Sequence, residues 1–429
     1  MKGAPELAIE SVANRGAEMY RGPLRRILVL SPLFPYPPTN GIALRIWAIL
    51  ESLASNGHSV DLLCFGEAAA DVRAPEVRRV CSSVEVIPHV TSGIAQARDV
   101  KGRLRVLLSR LPYGVARARS QQMRSQIRSR IDAEACDALL VEETYLLANL
   151  PEPCSLPLAI DHHNSEYALV RRYLRYERNP LRLAYAWLEA RKLRGWENRA
   201  TRRADVVLTC SEVDRAIFQR LAPDTPSLVA PNVVDVDKYD AARPMKENRI
   251  LYTGGMDWYP NRDAVEYFVR QILPSIRASV RGVRFVIAGR NPPDTFRRSF
   301  ADLGDVDFTG TVGDMREEIA KAAVCVVPLR IGSGTRLKIL EAAAMAKPVV
   351  STSVGAEGLN FRNGREIILA DKPEPFAHAV VKFLENEDQR NSIGRAARER
   401  VRTSYSLEAL RSPLVAMISQ LERAHAPRA

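Results

Sequence analysis

Short, continuously apolar runs alternate along the chain with segments whose apolar residues recur every three or four positions. Arg25–Ser31 (RRILVLS), Ser59–Phe65 (SVDLLCF), Val84–Pro88, Ala138–Glu142, Pro157–Asp161 and Asp205–Ser211 read as buried strands. Between the first two, Ile46, Ile49, Leu50 and Leu53 stand at i, i+3, i+4 and i+7, the stripe of an amphipathic helix that Gly57 ends. Strands without polar alternation are covered on both faces, so this strand and helix succession predicts a parallel, doubly wound sheet.

A polar, proline-containing segment, Asp237–Arg249, interrupts the pattern and reads as a linker. The alternation then resumes. RILYTG opens a second series, Val265, Phe268, Val269 and Ile272 mark its next helix, and VRFVIAG, VDFTG, VCVVP and PVVST follow as strands. The predicted organisation is α/β throughout: a loose tail over 1–24, one Rossmann-like domain over 25–240, a second over 241–404, and a terminal helix over 405–429 packing back on the first. Two such domains in tandem leave a cleft between their strand C-terminal edges, where open α/β sheets bind ligands.

With 46% hydrophobic and 26% charged residues over 429 positions, the chain has apolar content for two cores, which excludes a disordered protein. The six cysteines are scattered without metal-ligand spacing, which argues against structural zinc and fits reduced thiols in a cytoplasmic protein. No apolar run approaches the ~18 residues of a membrane span, and charges throughout the first 24 residues argue against a signal peptide.

The net charge of +12 changes the picture because it is concentrated. Arg98–Ile131 holds ten basic residues against one acidic and Arg171–Arg203 eleven against three, so the two stretches carry +17 and the remainder −5. The expectation is that the first domain docks on an anionic membrane face, peripherally on its inner side. Leu181, Ala184 and Leu188 recur at i, i+3 and i+7, as core or membrane-facing positions do. A plainly solvated charged face is the alternative; nucleic acid stacked on Tyr173, Tyr176, Tyr185, Trp187 and Trp196 is a further one, and no nucleic-acid partner is expected.

The segment Arg330–Ala342, RIGSGTRLKILEA, carries the most chemistry. It follows the apolar run VCVVP and opens a helix expected to begin near Thr335. Gly332, Ser333 and Gly334 let the backbone approach a ligand, and a helix N-terminus offers unpaired N–H groups to an anion. Arg336 and Lys338 fall in the expected first turn, where the helix dipole disfavours cations unless an anion offsets it. Glu341 flanks the apolar stripe Leu337, Leu340, Ala344, and a carboxylate there suits a ribose hydroxyl pair. A nucleoside diphosphate would use all of these groups. The bland alternative is a surface helix with a Lys338–Glu341 ion pair and glycines that merely turn the chain. Two Asp-x-Asp triplets, Asp235 with Asp237 and Asp305 with Asp307, read as turns, and no metal or other cofactor is expected.

On these motifs the chain resembles the GT-B glycosyltransferases over about Arg26–Glu422, and its second half resembles the retaining, group 1 sugar transferases of family 4. The resemblance implies a pair of glutamates separated by seven residues; the second corresponds to Glu341, whereas Ser333 stands at the first. It implies cations after the first strand of the second domain, but the chain reads YTGGMDWYPNRD there. Gly254 and Gly255 line that turn, Asn261 stands at about the second cation's place, and Arg336 and Lys338, with Arg262 as a lesser candidate, take over the diphosphate. It further implies a donor-side loop at Asn40 and Gly41, a cleft histidine in IDHHNSE (His163 rather than His162), a closing motif at Pro231–Asp235 and a base-binding turn at Gly310, Thr311 and Val312. Ser333, Gly334 and Thr335 complete the implied donor site, and His163, Arg336 and Lys338 are the catalytic candidates. The implied activity is metal-independent, retaining transfer of a hexosyl group from a nucleotide diphosphate sugar to a lipid-linked or polysaccharide acceptor in exopolysaccharide or cell-envelope glycan synthesis. A nucleotide-sugar epimerase or a non-catalytic sugar-nucleotide binding protein are the alternatives.

Overall fold

The computed structural model describes residues 25–67, 71–88, 109–239, 248–290 and 292–425. The expected tail over 1–24, the part of the first basic stretch before residue 109 and most of the expected linker lie outside the described residues.

Seven parallel strands form the first sheet: β1 (Arg26–Ser31), β2 (Ser59–Gly66), β3 (Ser83–Pro88), β4 (Ala138–Glu142), β5 (Leu158–His162), β6 (Val206–Thr209) and β7 (Ser227–Val229). Their order is β3-β2-β1-β4-β5-β6-β7, so the winding reverses between β1 and β4. Alternate residues of β1 feed opposite faces. Ile27 and Val29 join one apolar cluster, and Leu28 and Leu30 join another, which is why the run reads as uninterrupted apolar sequence.

The second sheet runs β10-β9-β8-β11-β12-β13, with β8 (Arg249–Thr253), β9 (Arg284–Ala288), β10 (Val306–Gly310), β11 (Val324–Val327), β12 (Val349–Ser351) and β13 (Ile368–Leu369). It is also parallel and reverses between β8 and β11. One cluster that includes Leu251, Phe268, Phe285, Val350 and Phe376 fills its surroundings. The short strands β7 and β13, of three and two residues, escaped the sequence reading because so few positions carry no period.

The helices that position the cleft are α1 (Gly41–Ser55), α2 (Glu166–Tyr173), α3 (Pro180–Arg203), α4 (Tyr259–Tyr267), α5 (Leu337–Ala344), α6 (Glu387–Ser404) and α7 (Arg411–His425). Asn40 caps α1 through a bond from the Ala43 N–H (3.1 Å). α7 lays Leu414, Met417 and Leu421 into the cluster of the first sheet that holds Ile27 and Val60. Among the described residues no helix is long and apolar enough to cross a membrane.

Candidate functional site

Both sheets turn their switch points toward one cleft, and three segments meet there. These are the ends of β4 (Glu142 and Glu143) and β5 (Asp161–Ser165) and the Gly332–Lys338 loop ahead of α5. Gly334 holds φ +75°, and a Cβ on it would stand 2.6 Å from the His163 carbonyl oxygen. Only glycine permits both that conformation and that approach. The contact is reinforced by the Ser165 N–H donating to Ser333 Oγ (3.3 Å) and Asn232 Nδ2 donating to Thr335 Oγ1 (2.6 Å). Gly41 approaches the same helix, with Leu337 Cδ1 3.3 Å from where its Cβ would be.

The loop is longer than expected and the helix starts later. α5 begins at Leu337, and Arg336 is its N-cap, not a first-turn residue. Its guanidinium folds back onto the Ser333 (2.5 Å) and Gly334 carbonyls, bracing the loop. Lys338 stands 4.1 Å from the centre of the Tyr252 ring and 3.3 Å from Asn261 Oδ1, beneath the Gly254 turn. Burial, then the neighbouring Arg336, pushes the Lys338 ammonium down to about 7. The Lys338–Glu341 ion pair of the bland alternative does not form: Glu341 accepts from the Tyr239 hydroxyl (3.3 Å), and burial pushes it up to about 7. Leu337, Leu340 and Ala344 are buried as the stripe required.

Asn261 and Arg262 are both bonded within the turn after β8. Asn261 is buried and ties the turn together, donating to the Gly255 carbonyl (2.8 Å) and accepting from the Tyr252 hydroxyl (2.7 Å). Arg262 donates to the Met256 carbonyl (2.6 Å), back into its own loop rather than toward α5. The Gly310–Val312 turn ends β10 on the same sheet edge, with Thr311 exposed.

His163 is set in a charged cluster that the sequence did not reveal. Its Nε2 lies 2.7 Å from Glu142 and 3.3 Å from Asp161, and its Nδ1 lies 3.3 Å from Glu143. Burial alone would lower it, but the carboxylates of Glu143, Asp161 and Glu142 push the imidazole up to about 10. Burial raises Glu142 to about 7 and Glu143 to about 8. Glu143 also holds a strained φ of +77°, a conformation that costs a residue with a Cβ and persists where a site demands it. Beneath them Arg45 grips both oxygens of Asp161 (2.6 and 2.5 Å) and donates to the Ala230 carbonyl and Asn232. His162, by contrast, stacks on Phe218 at 3.6 Å between ring centres and belongs to the core.

Glu142, Asp161 and His163 bring ligand atoms within 4.8 Å of one another. In this structure both Asp161 oxygens are bonded to Arg45, and the His163 imidazole lies against Glu142 and Asp161. The Asp-x-Asp triplets are likewise engaged: Asp235 with Lys238 (3.1 Å), Asp305 with Arg277, and Asp307 with Arg284 (2.6 Å).

A latch spans the cleft mouth. Arg172 of α2 forms a two-bond pair with Glu357 (2.5 and 2.6 Å) and donates to the Gly332 carbonyl. A polar signal for the missed acids did exist, because ALLVE and PLAID each end an apolar strand on a carboxylate at the edge where such sheets bind ligands.

Residues 39–238 match the family described as Glycosyltransferase Family 4, and residues 247–386 match Glycosyl transferases group 1. An uncharacterized 44.6 kDa protein in the cps region of Klebsiella pneumoniae is 21% identical over 373 residues, 85% of this chain and 92% of its own. Among solved structures, sucrose-phosphate synthase from Thermosynechococcus elongatus is similar with a TM-score of 0.67 at 18% identity, covering 93% of this chain and 100% of that one. HepE from Anabaena, solved with UDP-glucose, gives 0.63 at 14% identity, covering 92% and 99%. Two facing parallel sheets, the glycine loop entering α5 and these matches agree: the chain belongs to the group 1, family 4 glycosyltransferases of the GT-B fold.

Proposed function

We propose that the cleft transfers a hexosyl group from a nucleotide diphosphate sugar to a hydroxyl of a lipid-linked or polysaccharide acceptor, with retention and without a metal. One observation carries this reading. Three buried polar atoms on the segments that meet at the cleft lack hydrogen-bond partners: Glu142 Oε1 and Asn164 Oδ1 from the first domain, and Arg336 Nη2 from the second. Buried polar groups are nearly always satisfied, so a cluster of orphans at one place marks where a polar ligand belongs.

In this reading Lys338, Arg336 and the N–H groups entering α5 take the diphosphate, and Glu341 the ribose. As the bond from the anomeric carbon to the phosphate oxygen breaks, these cations stabilise the charge that develops on the leaving group. The acceptor oxygen bonds the anomeric carbon from the same face and gives its proton to the departing phosphate. His163, charged and oriented by its carboxylates, lies on the sugar side. Donor entry requires the domains to part, releasing Gly334 from His163 and Arg172 from Glu357. Further support comes from relatives. A similar protein is encoded in a cps region, and the similar HepE was solved with UDP-glucose.

The test is a panel of nucleotide diphosphate sugars with lipid-linked and glycan acceptors, read as nucleotide released. Saturating EDTA should leave the rate intact, and His163→Ala should lower turnover at least about tenfold while sparing nucleotide affinity. Loss of the rate in EDTA with recovery in Mn²⁺ would contradict the metal-free reading, and release without any acceptor would favour an epimerase.

A further inference from the structure

Of the eight large apolar side chains that are exposed among the described residues, four lie within twelve positions: Tyr176, Leu181, Leu183 and Trp187. Leu181 is 81% exposed and Trp187 56%. The helix geometry explains why. α3 turns Ala186, Ala190, Glu197 and Ala200 inward, and at 3.6 residues per turn Leu181, Ala184 and Trp187 fall on the outer side. Of the sequence spacing Leu181, Ala184 and Leu188, the first two are exposed and Leu188 is half-buried.

The rim of this face is positive. Arg171, Arg175, Arg178, Arg182, Arg191 and Arg194 are all exposed, and Arg191 lies 5.2 Å from the Trp187 ring centre. The acids of the same stretch are turned to internal work. Glu177 accepts from the Tyr173 hydroxyl and from the Arg178 and Asn179 N–H groups, Glu189 from the Tyr113 N–H (2.6 Å), and the buried Glu197 from Ser165 and Tyr167. Among the described residues of the other basic stretch, Arg124 is bonded to the Ala148 carbonyl and Arg130 to Glu85. The apolar face also adjoins the cleft. Tyr173 packs edge-on against Tyr259 at 5.1 Å, and Arg330 lies 5.1 Å from the Tyr176 ring centre, just ahead of the Gly332–Lys338 loop.

We propose that the tip of the α2–α3 hairpin docks on an anionic lipid bilayer, with Leu181 and Trp187 entering the interface and the surrounding arginines meeting the headgroups. An exposed apolar stripe framed by cations is what a helix lying in a charged interface presents, and tryptophan favours that depth. Nucleic acid does not fit, because Leu181, Leu183 and Ala184 offer neither stacking nor hydrogen bonds to bases. A second copy pairing by the same face would set one arginine rim against another. The use of this surface to bring the cleft to a lipid-borne acceptor rests on the transferase reading, but docking itself does not.

The experiment is flotation of the full chain with phosphatidylcholine vesicles and with vesicles that also contain phosphatidylglycerol, alongside the part of the tryptophan emission that Trp187→Gln removes. The protein should float with the anionic vesicles only, with a blue-shifted emission that salt reverses. Leu181→Gln with Trp187→Gln, and separately Arg175→Glu with Arg178→Glu and Arg191→Glu, should each weaken flotation at least about tenfold while UDP affinity stays unchanged. Equal flotation with neutral vesicles, variants that float like the parent, tighter retention on RNA at the same ionic strength, or a dimer that both variants dissolve would each overturn the proposal. If docking fails while nucleotide release persists, only this inference falls. If vesicles bind but no nucleotide does, the transferase reading falls and the docking surface stands.

Discussion

Replacing Arg45 with methionine is expected to destabilise the fold by about 3–5 kcal/mol, the range for breaking a buried ion pair from one side. The thermal midpoint should drop by roughly 10 °C. Arg45 and Asp161 are 3% and 0% exposed, and the guanidinium also serves the Ala230 carbonyl and Asn232. Its loss strands Asp161 beside Glu142 and Glu143 with only His163 to compensate. Adding Asp161→Asn should recover part of the loss, since the cost lies in the uncompensated charge and not in the absent pair. Calorimetry reads both variants; an Arg45→Met protein melting with the parent would refute the cluster's energetic role.

UDP affinity is expected to fall as pH rises through about 7. The Lys338 ammonium is held down to about 7 by burial and by Arg336, and a bound diphosphate favours its charged form. Below that pH the lysine is already charged and binding takes up no proton at this site. Above it, binding must recruit a proton, so affinity declines by up to about tenfold per pH unit until the pKa of the complex is passed. Glu341, raised to about 7, ionises in the same window and opposes the trend only through its bond to the ribose. Lys338→Met should weaken UDP by roughly tenfold or more and flatten the profile between about pH 7 and 9. Isothermal titration across that range decides it, and an affinity for the parent that does not change with pH would show that Lys338 does not hold the diphosphate.

The strands were legible where three or four consecutive apolar residues lie covered on both faces, as in ILVL of β1 or the VVL of β6. They were not where the strand is too short to carry a pattern, as at Ile368 and Leu369. The glycine loop was legible because Gly334 meets a steric demand that no other residue satisfies. The start of α5 was not, because Arg336 caps the helix end without a side-chain bond to its N–H groups, and no Ser, Thr, Asp or Asn marks the N-cap. Arg45 stayed hidden for a related reason. It neighbours the apolar stripe of α1, and only the return of the chain 116 residues later brings Asp161 to it. Leu181, Ala184 and Leu188 show the opposite case. Their spacing was visible, but which side of the helix meets the fold is a tertiary fact.

The proposed reaction is retaining transfer from a nucleotide diphosphate sugar bound between the His163 and Gly334 loops. The anomeric configuration of the product, read by proton NMR on the first turnovers with the donor that releases nucleotide, tests it most directly. An α-linked donor should give an α-linked product, with no free sugar preceding it. A β-linked product from that donor, or nucleotide release that yields only an epimerised or hydrolysed sugar, would contradict it.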